Sequence, residues 1–184
     1  SAIYKAKSDG LYKGSVTVKF NITKATMAQA IDYDAARAIE KTYTGSEIIL
    51  TDEELRQLAP IKDLPNEASL PYTVTYSKNI NAGTAVVRLT GTDYLYGSKN
   101  MYFTITPKSV KTLEITTGTK QLNYNDGKPV YLELKEVRDN GTVLRQGWDY
   151  TCSYANTTSK GIACLTITGV GSYTGTRYIY YSII

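Results

Sequence analysis

The residues able to carry chemistry in this chain are few, and the most versatile type is missing. The 184 residues include no histidine. That excludes serine triads with a histidine base, Cys–His nucleophile pairs, histidine-ligated zinc and histidine pH switches. Two cysteines, Cys152 and Cys164, are too few for a Cys₄ or Cys₃ metal site. Asp52-Glu53-Glu54 could hold a cation. The same run suits a helix N-terminus, where free backbone N–H groups favour negative charge, and that is the expectation. Asp32-Tyr33-Asp34 begins like a calcium loop, but no glycine or distal glutamate follows at the EF-hand spacing. A solvated loop is expected there. Glycoside hydrolysis needs two carboxyl groups converging in a cleft, whereas the acids here are scattered over turns and outward positions. There is no nucleophile elbow and no phosphate loop. The expectation is a non-enzyme with no catalytic residue, no cofactor and no metal.

Aromatic residues are the remaining candidates. Trp148 with Tyr150 and Tyr154 could form a sugar-binding platform. Strand alternation instead sends Tyr150 and Tyr154 inward and leaves Trp148 to cap the core edge. Outward-facing Tyr102, Tyr178 and Tyr180 are better exposed candidates, either for a ligand or for a domain contact.

The elements that must position these residues follow from composition and repeats. With 42% hydrophobic and 21% charged residues, the chain is globular and not disordered. Its length suits one large domain or two small ones. A net charge of +4 is too small to argue for nucleic acid or an anionic membrane. No apolar run approaches the roughly 20 residues needed to span a bilayer. No leader opens the chain, and it starts without methionine. It reads as a piece of a longer protein, so missing targeting segments say nothing about location. Seventeen tyrosines against 2 Phe and 1 Trp lean towards half-buried β structure.

Internal repeats decide the organisation. Residues 72–105 recur as residues 150–183 at an ungapped offset of 78. Tyr72, Tyr76, Gly83, Ala85, Thr90, Gly91, Gly97, Tyr102 and Ile105 return as Tyr150, Tyr154, Gly161, Ala163, Thr168, Gly169, Gly175, Tyr180 and Ile183. Residues 1–22 align with 84–105 at an offset of 83, as a partial third copy. Each copy ends in a strand of period 2: Val16, Val18, Phe20 and Ile22; Met101, Phe103 and Ile105; Ile179, Tyr181 and Ile183. The preceding strand turns Ala85, Val87 and Leu89, or Ala163, Leu165 and Ile167, to the core. Val110–Ile115 and Val130–Val137 read as further strands, with turns at Asn125-Asp126-Gly127 and Asp139-Asn140-Gly141. Thr51 with Glu54 forms a capping box and Pro60 a stop, which predicts a short helix inserted in the middle repeat. Ala-rich residues 25–40 remain ambiguous between helix and strand. About seven short strands per roughly 80 residues indicate an all-β chain of small sandwiches. The expected parts are 1–23, a terminal hairpin of a preceding repeat; 24–106; and 107–184, with the break near Thr106-Pro107-Lys108. The hairpin has an apolar face to bury. It is expected to pack on the middle domain in place of a strand, with edge-to-edge self-association as the other route.

Several motifs resemble bacterial immunoglobulin-like repeats. They are Tyr43-Thr44-Gly45, Tyr72-x-Val74-x-Tyr76, Asn81-Ala82-Gly83-Thr84-Ala85, Gly147-x-Asp149-Tyr150 and Gly169-x-Gly171-x-Tyr173-x-Gly175. Such repeats occur in tandem in large surface proteins of Gram-positive bacteria. The resemblance covers residues 24–184 and implies tandem immunoglobulin-like β-sandwiches. It implies an extracellular, cell-wall or surface-attached location and a structural or adhesive role, as a stalk or binding segment. The partner would be a host or cell-wall protein or glycan. The alternative reading is a carbohydrate-binding module appended to an extracellular enzyme. Lys–Asn crosslinks occur in some Gram-positive surface domains, but no motif here suggests one. The Asn-x-Thr triplets at Asn21, Asn140 and Asn156 are expected to be silent in a bacterium.

The cysteines lie on adjacent strands of the last repeat. Cys152 shares the face of Tyr150 and Tyr154, whereas Cys164 lies opposite to Ala163 and Leu165. Residues on opposite faces cannot meet disulfide geometry, so two free thiols are expected.

Overall fold

The computed structural model describes the chain except residues 1, 6–9, 12, 20–22 and 66. Two strands open it, β1 (Ala2–Lys5) and β2 (Ser15–Val18), as an antiparallel hairpin. The offset of 83 would set Ala2 opposite Phe20, as Ala85 is opposite Phe103; in the structure Ala2 is opposite Val18. The register is two residues tighter, an even shift that keeps each side chain on its face. The hairpin forms its own two-stranded sheet, and Tyr4, Val16 and Val18 are exposed. Among the described residues, the hairpin therefore does not stand in for a strand of the middle repeat. Phe20 and Ile22 lie outside the described residues.

The reason is visible in the middle repeat, where the last strand of the main sheet already has a neighbour on each side. Its elements are β3 (Ala25–Thr26), α1 (Met27–Ala30), β4 (Glu40–Thr42), α2 (Asp52–Leu58), β5 (Tyr72–Ser77), β6 (Gly83–Gly91), β7 (Leu95–Tyr96) and β8 (Ser98–Thr106). They form a four-stranded sheet in the order β4-β8-β6-β5, with β4 parallel to β8. The flank of β8 is already occupied. Alternation buries Ala85, Val87 and Leu89 from β6, and Phe103 and Ile105 from β8. The layer over this face is helix and loop. Thr51 caps α2 with the expected box to Glu54, and Leu55 and Leu58 point into the core. Ambiguous residues 25–40 resolve into β3 and α1, a second short helix with its own Thr26–Gln29 box. Met27, Ile31, Ile39, Ile48 and Leu50 complete the apolar cover.

The last repeat has two facing sheets. Its elements are β9 (Lys108–Ser109), a 3₁₀ turn (Val110–Thr112), β10 (Glu114–Thr117), β11 (Gln121–Leu122), β12 (Leu134–Asp139), β13 (Thr142–Val143), β14 (Tyr150–Ala155), β15 (Gly161–Gly169), β16 (Tyr173–Thr174) and β17 (Thr176–Ile183). Sheet β10-β12-β13 faces sheet β11-β17-β15-β14, and Ile115 and Val137 pack against Leu165, Ile167 and Ile179 between them. Two expected strands shift. Val110 sits in the 3₁₀ turn, because Ser109 caps it and Val110 drops fully into the core. The second strand begins at Leu134, not at Val130, whose N–H instead bonds to the Thr157 carbonyl. Both turns form as expected; Asn140 and Gly141 have φ of 47° and 81°, as a two-residue hairpin turn requires.

The two sheets match strand for strand. Glu40 pairs with Thr104 and Gln121 with Ser182, so the short parallel strand takes the same register in both repeats. Gly91 and Gly169 show why the repeat keeps glycine at this column. A Cβ on Gly91 would lie 2.9 Å from the Leu95 backbone, and one on Gly169 2.6 Å from the Thr174 nitrogen. Here the small residue permits the chain to fold back on itself.

Candidate functional site

Among the described residues, no three acidic or cysteine side chains cluster as a metal site. Asp52, Glu53 and Glu54 occupy the first turn of α2, and Glu54 is engaged by Lys41 and the Thr51 N–H. Those bonds, that of Lys41 foremost, hold its carboxyl below the usual range. Asp32 accepts the N–H groups of Asp34 and Ala35 in a local turn.

The aromatic platform does not assemble. Tyr150 is buried, and the half-buried Tyr154 donates its hydroxyl to the Leu132 carbonyl at 2.9 Å. Trp148 departs from its expected place at the core edge: it is 72% exposed, with the Arg145 guanidinium 5.5 Å from its ring centre. The Arg145-to-Asp149 turn holds it out, with the Asp149 N–H bonded to the Arg145 carbonyl at 2.9 Å. Tyr102, Tyr178 and Tyr180 are exposed, as alternation predicts. The cysteines are both free thiols: Cys152 packs on the core, while Cys164 lies on the outer face beside Tyr180.

The structure brings together a set of residues that sequence reasoning left apart. Lys108, directly after Pro107, begins β9 and pairs with Tyr173 of β16. Its Nζ lies 2.5 Å from Asp139 Oδ1 at the end of β12, with the side chains 19% and 6% exposed. The Tyr173 hydroxyl donates to Asp139 Oδ2 at 3.1 Å. Burial, and then the Asp139 charge, raise the pKa of Tyr173. The carboxylate is thus neutralised by an ammonium and held in place by a phenol, as a buried charge requires.

This cluster sits where the two repeats meet. The Tyr43 ring meets Tyr173 edge-on, with centroids 5.3 Å apart, and packs against both hydrophobic cores. The Ala82 N–H donates to Ser172 Oγ at 3.0 Å across the same boundary. A groove of about 470 Å³ runs beside the contact, lined on one side by residues 43–46 and on the other by Asp139, Asn140, Arg145 and Asp149.

Sequence reasoning placed Asp139 only in a turn and Tyr173 only in the Gly/Tyr motif. A signal was available: Tyr173 aligns with Leu95, which is buried. A phenol in an apolar column demands a polar partner. No protein-family model, curated protein or solved structure matches the chain.

Proposed function

We propose that this chain is a non-enzymatic structural or adhesive module, two immunoglobulin-like β-repeats in series within a larger secreted bacterial surface protein. The motifs around Tyr72 and Tyr150 support the immunoglobulin-like reading, and so does the equal register of the parallel strands that flank β8 and β17. The observation that carries the functional reading is the joint. A connection as short as Thr106-Pro107-Lys108, with Tyr43 shared between two cores, limits how the repeats can swing. A spacer or a presenting arm needs that property, whereas a flexible tether does not. Each repeat holds its own buried core, so serial copies extend reach without new chemistry. Cell-wall attachment and an extracellular setting belong to this same proposal.

Small-angle scattering tests it. The serial reading expects an elongated particle whose dimensions do not change with salt. A compact sphere, or a broad distribution of interdomain distances, refutes it.

A further inference from the structure

We infer that the outer face of sheet β11-β17-β15-β14 docks a second copy of this chain, face to face, about a two-fold axis running along the strands between β15 and β17. This goes beyond the proposed function and does not depend on it. Residues directly opposite each other on paired strands share a face. The register therefore sets Tyr178 beside Thr166, Tyr180 beside Cys164 and Ser182 beside Ile162 on the outer surface. Tyr178, Tyr180 and Ile162 are 59%, 62% and 61% exposed, so nothing in the chain covers them. The face also carries no charge. The only charged residue in β14, β15 and β17 is Arg177, which lies on the inner side, opposite buried Ile167, and donates to the Leu113 carbonyl at 2.7 Å. Well-solvated surfaces run to roughly 25–35% charged residues. Two copies of a chain with net charge +4 repel each other overall, and an uncharged face is where they meet without like-charge contacts.

The relief of the face selects a copy of itself as the occupant. A two-fold axis along the strands lays β17 over the partner's β15 and keeps each row level, so the same patch serves both copies. Tyr178 then meets the partner's Thr166, Tyr180 meets the partner's Cys164, and Ser182 meets the partner's Ile162. In every row a large side chain faces a small one, as two sheets packed about 10 Å apart require. The middle repeat fails the same operation. Its rows set Tyr102 beside Val86 but Arg88 beside Asn100, so apposition would bury a guanidinium with no acid across from it.

The area available sets the strength. At strand spacings of about 4.8 Å and rises of about 3.3 Å, each sheet residue covers about 16 Å². The four strands so present a flat footprint of roughly 400 Å² per copy, and the standing tyrosine rings bring the total surface buried in a pair to roughly 1,000 Å². That is the low end for a specific interface. The dimer is accordingly weak and reversible, with a dissociation constant of roughly 10–100 μM.

Sedimentation velocity of the full chain under reducing conditions, from about 1 to about 500 μM, tests the inference. Wild type is expected to pass reversibly from monomer to dimer. Thr166→Glu and Tyr178→Lys each place two unpaired charges in the symmetric dimer and should weaken it at least about tenfold. An equimolar mixture of the two variants forms one Glu–Lys pair and keeps one native Tyr178–Thr166 contact, so it should dimerise to within several-fold of wild type. Tyr102→Lys, at the matching position of the middle repeat, should leave the dimer unchanged. All these side chains lie on solvated faces of the monomer; circular dichroism checks folding, and Tyr180→Lys replaces any variant whose spectrum departs from wild type. The inference is overturned if wild type stays monomeric at about 500 μM, whether or not the face then retains a polysaccharide. It is also overturned if Tyr102→Lys abolishes the dimer, if both single variants leave it intact, or if their mixture fails to associate. Scattering on monomeric Tyr178→Lys keeps the serial architecture a separate question: an elongated monomer upholds it whatever the sedimentation result.

Discussion

Tyr72 opens β5 with its ring in the middle core and 5% of its surface exposed. Its hydroxyl is buried and, among the described residues, is the side-chain polar atom without a hydrogen-bond partner. Tyr72→Phe removes that oxygen and keeps the ring. An unsatisfied buried polar group costs about 1–3 kcal/mol. Some packing contact is lost with the oxygen, so the variant should be more stable by about 1 kcal/mol. Tyr173→Phe is the control of opposite sign. Its hydroxyl bonds to a buried carboxylate, and losing such a bond costs about 1.5–3 kcal/mol. Urea denaturation followed by far-UV circular dichroism measures both. Amide exchange on β5 and β6, against β15 and β17, assigns each change to its repeat. Alkaline pH gives a second readout. Burial raises the Tyr72 pKa from 10.0 to about 12. The protonated phenol is the form that folding favours, so its contribution is complete below about pH 10 and is lost as pH rises towards 12. In that window wild type should lose up to about 1.4 kcal/mol per pH unit more than Tyr72→Phe. The reasoning fails if Tyr72→Phe is destabilised at neutral pH, or if the alkaline slopes of variant and wild type coincide.

Four other outcomes follow from the structure. Gly169→Ala places a methyl group 2.6 Å from the Thr174 nitrogen and should cost the last repeat about 1–3 kcal/mol in urea; the exposed neighbour Thr168→Ala should stay within about 0.5 kcal/mol of wild type. Glu54 is held below its ordinary 4.5, chiefly by Lys41, so its stabilising contribution is present above that value and disappears as pH falls through the lowered one; an acid titration of Glu54→Gln should show a flatter limb than wild type. Denatured, unreduced protein should titrate two thiols, and finding none would mean that Cys152 and Cys164 share a face. Deleting residues 1–22 should leave the unfolding midpoint of the middle repeat unchanged, because the β1–β2 hairpin forms a sheet of its own; a lowered midpoint would show that it packs there after all.

How far the sequence could be read depended on what each residue reports. Period-2 alternation is local, and it located Ala85, Val87, Leu89 and their counterparts correctly on the core face. The capping box at Thr51 is local too, and α2 begins there. The front halves of the repeats were obscure because several of their strands, among them β3, β4, β9 and β11, are two or three residues long. Such strands carry no usable period, and β4 and β11 are fixed only by parallel partners more than sixty residues away. The joint was hidden for a different reason. Asp139 satisfied a turn pattern and Lys108 followed a proline, so each had an ordinary local explanation. Comparing the copies by structural register exposes the connection. Ala25 pairs with Leu95 in the middle repeat; Lys108 pairs with Tyr173 at the same place in the last. Two neighbouring apolar residues have become an ammonium and a phenol together, and neither replacement is tolerable in a core by itself. Asp139 is what makes the pair compatible with burial, since it accepts from both. Among the described residues β12 has no counterpart strand in the middle repeat, so the carboxylate it carries belongs to the last one. The second sheet of the last repeat and the polar cluster at the joint are therefore one feature: β12 positions the acid, and the acid is what allows Tyr173 to present its ring to Tyr43.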